Sequence, residues 1–536
     1  MSDEDVRIFL SVLSVCCFIC FIILTFHFYY RRLNALLQPG FDNTKYLEEQ
    51  TTEILKRVDP FNQKLYLEFG GKLFFDYHAA RVLPGYDPND KVRLLHNLRD
   101  KAEIILCIYA GDIERRKIRA DFGITYEMDV LKLIDNLRAW DLDIAGVVIT
   151  RYKDQPAARL FKNTLELRNI KVYVHRPTHG YPSDINAILS EEGFGANEYI
   201  ETKKPLVIVT APGPGSGKLA TCLSQLYHDS LRGIQSGYAK FETFPIWNLP
   251  LKHPLNVAYE AATADLRDFN IIDPFHLEAY GKTSVNYNRD VEIFPVLKRI
   301  LERVSSREAI YQSPTDMGVN RAGFSITDDN IVREAAKQEI IRRYFWYKAE
   351  YAKGLTDQET FSRVEVLMED FKLVPEDRKV VVPAREVLNR RSKTGKKVLS
   401  GAAVELATGE QITGKQSVLM NATSSVILNA IKVISGIPDN IHLLSPNIIE
   451  SIQNLRKDVL NEKNTRLNLE ETLIALTISA TTNPTAQLAL TSLKELHGCE
   501  MHSTHILSST DNSVLHKLGI HITCDANFPS ENLYIG

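Results

Sequence analysis

Apolar and polar positions alternate along the chain with two different periods. Short apolar runs lie at 64–69, 104–109, 144–150, 172–175 and 206–210. Their length and near-continuous apolar character predict strands buried on both faces. Between them, at 43–58, 92–98, 127–140 and 157–167, apolar residues recur every three or four positions, the period of an amphipathic helix. Strands and helices alternating at these lengths predict βαβ units and a mainly parallel sheet. A further helix is expected at 219–231.

From 237 to 323 the pattern loosens, apart from helices near 254–265 and 291–304 and a short strand at 269–272. The stretch is rich in Trp, Tyr, Phe and His, which argues against disorder. Long irregular stretches in a compact chain are usually functional. Strong helical patterns return at 328–353 and 357–371, and residues 392–397 read as an exposed hinge. Beyond it, strand-like 402–406 and 503–507 and helical 417–435 and 469–496 predict a second, smaller α/β unit. The expected organisation is an N-terminal segment at 1–38, an α/β domain at 39–325, a helical segment with hinge at 326–397 and a C-terminal α/β subdomain at 398–536.

The N-terminal segment follows a different rule. Residues 8–30 are apolar or aromatic apart from Ser11, Ser14, Thr25 and His27. That is long enough for a helix across a bilayer, which takes roughly 20 residues. Arg31 and Arg32 follow at once, so the expectation is a single-pass membrane anchor with the body facing the cytosol.

Composition narrows the picture only slightly. Lys and Arg number 64 against 67 Asp and Glu, so charge gives no argument for nucleic acid, which favours a basic face. Cys107, Cys222, Cys499 and Cys524 are scattered singly, which makes neither a disulfide framework nor a zinc spacing.

The most informative segment runs from Lys204 through Thr210 to Lys218. An apolar strand enters a glycine-rich turn, and a helix starts at the lysine, the context a phosphate loop needs. Gly213, Gly215 and Gly217 can take positive φ and turn backbone N–H groups onto one anion. With Ser216 and Lys218 they form the expected cradle, and the helix N-terminus adds partial positive charge. The match to the usual pattern is incomplete: Pro212 stands at the first glycine, and Leu219 stands where Ser or Thr would hold magnesium. ATP or another nucleotide, or another phosphate-bearing small molecule, is the expected ligand. Gly70, Gly71 and Lys72 follow the first strand in the same manner, and Arg81 is a candidate second anion contact.

Four residues are candidates for acid–base chemistry. Glu242 lies among aromatics, where burial would raise its pKa and suit it to proton transfer. Asp273 ends an apolar strand, His276 follows closely, and Asp316 lies in a Gly- and Pro-punctuated loop. Asp273 is equally read as a cap on the helix that Pro274 begins. Cys499, His502 and His505 could suggest zinc, but the two histidines are an odd number apart beside a strand and would diverge, so no metal site is assigned.

Several of these segments carry a resemblance. Residues 65–72, Val82-Leu-Pro-Gly85, 209–218, 238–245, Ile272-Asp-Pro-Phe-His276, 285–290 and Ser313-Pro-Thr-Asp-Met-Gly318 resemble the bacterial family described as domain of unknown function 1846. The resemblance runs from about Gly40 to the C-terminus. It implies an N-terminal α/β part, a helical part and a C-terminal α/β subdomain of cytidine-deaminase-like architecture, and it implies no proven activity. Three functions stay open. One is an enzyme acting on a nucleotide or phosphorylated small molecule. Another is a non-catalytic nucleotide-sensing or scaffold module tethered to a membrane. The last is a metal-dependent hydrolase or peptidase.

Overall fold

The computed structural model describes residues 39–58, 64–119, 123–305, 311–392 and 400–529. The strands of its N-terminal unit that matter below are, in chain order, β1 (Lys64–Phe69), β2 (Ala102–Tyr109), β3 (Ile144–Thr150), β4 (Val172–Val174), β5 (Leu206–Thr210), β6 (Ser236–Phe241), β7 (Asn270–Ile272), β8 (Val285–Tyr287) and β9 (Gly318–Val319). Among the described residues seven of these form one parallel sheet in the order β9-β6-β1-β5-β2-β3-β4, while β7 and β8 pair antiparallel on their own. β5 is apolar and wholly buried, as expected for a central strand covered on both faces.

The helices that matter below are α1 (Asn43–Val58), α2 (Tyr77–Val82), α3 (Asp90–Asn97), α4 (Tyr126–Ala139), α5 (Lys218–Leu231), α6 (Pro274–Tyr280), α7 (Asn288–Ser305) and α8 (Asp329–Ala352). One sheet face, with Leu65, Leu67 and Phe69, packs on α1, α3 and α4. The other, with Tyr66, Val207 and Val209, packs on α5 and α7. The chain leaves β1 toward α3 on the first face and β5 toward α5 on the second. Adjacent strands whose connections diverge in this way open a crevice at the C-terminal edge, the topological switch point where open α/β sheets place ligands. The C-terminal unit has its own core and a sheet in which β10 (Gly401–Glu405), β11 (Gln411–Lys415), β12 (Glu500–Ser503) and β13 (His521–Cys524) stand in the order β11-β10-β12-β13.

Several expectations need correction. The single membrane-spanning helix, and with it the membrane location, is not supported: among the described residues no helix is long and apolar enough to cross a membrane. Residues 8–30, on which that expectation rested, lie outside the described residues, as does most of the 392–397 hinge. Asp273 does follow a strand, but β7 belongs to the antiparallel pair and not to the parallel sheet. Residues 236–241, at the start of the stretch 237–323 read as irregular, form the parallel strand β6. The 469–496 run breaks into two helices because Asn483 caps a new one at Pro484, where proline fits the first turn. The strand expected at 503–507 lies at Glu500–Ser503.

Candidate functional site

Because the sheet is parallel, the C-terminal ends of its strands share one edge. The glycine loop leaves β5 there, and the Gly70-Gly71 turn leaves β1 beside it. α5 begins at Lys218 with Gly217 as its N-cap residue, in the left-handed region at φ 89°, and no side chain caps the helix. Its first N–H groups are thus left to a ligand or water. A Cβ on Gly217 would lie 2.9 Å from the Thr150 side chain, so glycine is required for both φ and space. Thr150 Oγ1 donates to the Ser216 carbonyl at 2.7 Å, and Ser216 Oγ donates to the Gly213 carbonyl at 2.8 Å. Gly215 also has positive φ. Gly213 does not, and is pressed against the Tyr126 ring instead. The Arg151 guanidinium stacks on Tyr109, 3.4 Å from the ring centroid, and donates to the Gly215 carbonyl.

Lys218 Nζ lies 4.0 Å from Glu68 Oε1, a loose pairing that leaves donor capacity for an anion. Glu68 also accepts from Tyr238 Oη at 2.9 Å. One strand further, Lys240 Nζ lies 2.6 Å from Glu242 Oε1 and also bonds Asp290 at the start of α7. β1 and β6 are in register, Glu68 opposite Lys240, so both sit on the α5 face. Burial pushes the Glu242 carboxyl up to about 8, with Asp290 and Glu68 adding to the rise and Lys240 opposing it. Against burial, the Asp290 and Glu242 carboxylates hold the Lys240 ammonium above the usual lysine range. Gly70 fits between these groups because a Cβ there would come within 2.9 Å of the Phe241 carbonyl and 3.6 Å of Glu242 Cγ. Gly71, at φ 72°, approaches the ammonium of Lys91, which is paired with Asp76 at 2.7 Å. Lys72 lies near enough to Asp76 to help hold that carboxyl low.

The other candidates are held by partners of their own. Arg81 does not reach the glycine loop: it forks onto Glu339 at 2.8 and 3.0 Å. Asp273 is wholly buried. One of its oxygens accepts from the Phe275 and His276 N–H groups at 3.0 and 3.1 Å, and the other from Thr315 N–H and Oγ1 at 3.2 and 2.7 Å. It is the N-cap of α6 and a tie to the Thr315 loop. Asp316 accepts from the N–H groups of Gln312 and Ser313 and from Tyr280 Oη. His276 Nδ1 lies 3.1 Å from Ser313 Oγ. The structure therefore does bring Asp273, His276 and Asp316 together, as one satisfied hydrogen-bonded cluster. Asp273→Ala should cost about 2 kcal/mol or more, from the lost cap and the Thr315 donors left buried, while ligand affinity at the glycine loop stays unchanged. Chemical denaturation and calorimetry on one preparation would check both halves, and weakened binding without lost stability would contradict the structural role.

Sequence reasoning missed Glu68, Lys240 and Asp290. A signal existed for two of them, since a charged residue inside a strand, as in Lys-Leu-Tyr-Leu-Glu-Phe and Ser-Gly-Tyr-Ala-Lys-Phe, is rare without a partner. His502 is buried with Nδ1 on Thr523 Oγ1, and among the described residues no group of three His, Cys, Asp or Glu is placed to hold a metal ion. A surface cavity of about 520 Å³, lined by Ser183–Asn186, Arg299, Glu302 and Arg303, shares no residue with this edge.

Fold and edge together define a two-unit α/β protein with a glycine-rich strand-to-helix loop at the switch point of its parallel sheet. The chain belongs to the DUF1846 family, as its sequence suggested: the family's N-terminal domain of unknown function matches residues 39–372 and its C-terminal domain of unknown function matches residues 376–534. It is 60% identical over 500 residues to UPF0371 proteins of Clostridium botulinum strains Eklund 17B and Alaska E43, covering 93% of this chain and 99% of each relative. A UPF0371 protein of strain Kyoto is likewise 60% identical over the same shares.

Proposed function

We propose that this protein binds a phosphate-bearing small molecule, a nucleotide or a phosphorylated metabolite, at the switch point. Gly213, Gly215, Ser216, Gly217 and Lys218 would cradle the phosphate, and the Gly70-Gly71-Lys72 turn would face it. The observation that carries this reading is the uncapped N-terminus of a 14-residue helix meeting the Lys218 side chain beside a buried acid–base pair. Backbone N–H groups and one ammonium are the recurrent means of holding phosphate. Leu219 packs toward the core under the sheet, so the cradle is read as one that does not depend on magnesium. Titrating the protein calorimetrically with pyrophosphate and with ATP, each with and without magnesium, tests it. Saturable one-to-one binding of either is expected, and no binding of both refutes the proposal.

Where the bound molecule also reacts, Glu242 is the group suited to move the proton. A carboxyl titrating near neutral pH is matched to general acid–base work, and Lys240 with Asp290 fixes its position. The folded pKa of about 8 lies above the usual carboxylate range. The native state therefore holds a proton that the unfolded chain has released, and stability falls as pH rises between those two values. The Glu242→Gln variant should lack this fall and gain on the unsubstituted chain in thermal melts from pH 5 to pH 8. A constant difference across that range would contradict the raised pKa. A non-catalytic sensing role is the second reading, and the position of Leu219 favours it. Binding without turnover of any phosphorylated compound would select it.

A further inference from the structure

Away from the sheet edge, four guanidiniums meet at the joint between the two units. Glu339 of α8 is wholly buried. It accepts from Arg81 of α2 through Nε and Nη2, from Arg343 Nε at 2.9 Å, from Arg342 Nη1, and it lies 3.1 Å from His78 Nδ1. Arg342 also reaches Glu500 of β12 at 2.7 Å, and Glu500 is shared with Arg378. Arg378 donates further to Thr523 and to the Met501 and His521 carbonyls.

The charges do not balance. Arg81, Arg342, Arg343 and Arg378 stand against Glu339 and Glu500, two cations in excess. Burial keeps the two histidines of the cluster from charging, with His521 pushed down to about 3. Partly buried charge without a counter-ion is costly. Among the described residues, Arg342 Nε is buried with no acceptor, and neither Arg81 Nη1 nor Arg343 Nη1 finds one. The Arg81 and Arg343 side chains keep 19% and 21% of their surface exposed, so a small solute can approach these two, while the more deeply buried Arg342 adds its charge.

We propose that Arg81, Arg342 and Arg343, with His521 beside them, form a second oxyanion site, separate from the glycine loop, that takes a phosphate-type dianion. Guanidinium forks match tetrahedral oxyanions in geometry, and a dianion offsets two excess charges. The donors come from α2 and α8, and Arg342 is tied through Glu500 to the C-terminal sheet, so an occupied site would tighten the joint and stabilise the fold.

The test uses the full chain carrying Lys218→Ala, which weakens the glycine loop and leaves any residual binding there independent of Arg343. It is titrated with inorganic phosphate and with glycerol 3-phosphate at constant ionic strength. One saturable site is expected, for free phosphate, the monoester or both, and this comparison separates the two sources. Adding Arg343→Gln should lower the affinity roughly tenfold or more. Should that variant fold poorly, Arg343→Lys, which keeps the charge and loses the fork, gives a second reading: in the Lys218→Ala background it should shrink the rise in melting temperature that phosphate gives over chloride of equal ionic strength. No saturable binding to the Lys218→Ala chain, or binding indifferent to Arg343→Gln in a folded protein, would overturn the proposal. Because Arg343 pairs with Glu339 and not with the glycine loop, the Arg343→Gln comparison leaves the proposed function untouched.

Discussion

Glu339→Gln should destabilise the protein by about 3–5 kcal/mol, the range for removing one partner of a buried ion pair. A single carboxylate there receives donors from three arginines and lies against a histidine, with none of its own surface exposed. Against burial, the guanidiniums of Arg81, Arg343 and Arg342 hold its carboxyl well below the usual range. Glutamine keeps the shape and one acceptor and removes the charge, leaving those cations to repel one another. The effect should depend on pH. A depressed folded pKa contributes stability that is complete above the unfolded value and is lost as pH falls toward the folded one. The penalty should therefore be full at neutral pH and shrink as acid protonates the unsubstituted chain below the ordinary glutamate range. Chemical denaturation at pH 7 and at a pH below the ordinary glutamate range measures it. A difference near zero at pH 7, or one that does not shrink in acid, would mean that Glu339 does not neutralise the cluster.

This network also shows where sequence reading stops. The partner of Arg81 lies 258 positions away, and no local pattern connects a helix after the first strand to a glutamate inside a long helix. Proximity to Gly70-Gly71-Lys72 in the sequence instead suggested an anion contact at the loop. The central strands were legible because 206–210 is apolar without interruption and its neighbours nearly so. β6 was not, because Ser236, Gly237 and Lys240 interrupt its apolar run and hide a strand whose Tyr238 and Lys240 face carries the site. The glycine loop was legible because its glycines, lysine and following helix are contiguous, so local geometry alone places them on one edge. Asp273 was ambiguous in sequence for a physical reason, since an acidic residue before proline serves a helix cap as readily as a reaction. Only coordinates showed that both of its oxygens are already occupied.

Lys218→Ala should weaken binding of a phosphate-bearing ligand roughly tenfold or more, since a charge-assisted bond is typically worth about 1.5–3 kcal/mol. The ammonium stands at the first residue of α5, where the helix N-terminus already favours negative charge. Its only recorded partner, among the described residues, is Glu68 at 4.0 Å, so little has to be broken for it to turn to a phosphate. Removing it deprives the ligand of a full charge and leaves the backbone N–H groups in place, so binding should fall without vanishing. It also leaves Glu68 facing the ligand unneutralised, which adds repulsion, so the loss should exceed that from Lys218→Met in a chain that also carries Glu68→Gln. The fold should be little affected, because Gly217, Thr150 and Ser216 hold the loop through backbone contacts that do not involve the lysine. Calorimetric titration of pyrophosphate or ATP into both proteins, with a thermal melt of each, separates the terms. Unchanged affinity would remove Lys218 from the cradle. Steep dependence on magnesium would mean that an oxygen ligand from another position, in place of the missing one at Leu219, serves the loop, and that the phosphate is held by the ion more than by the helix.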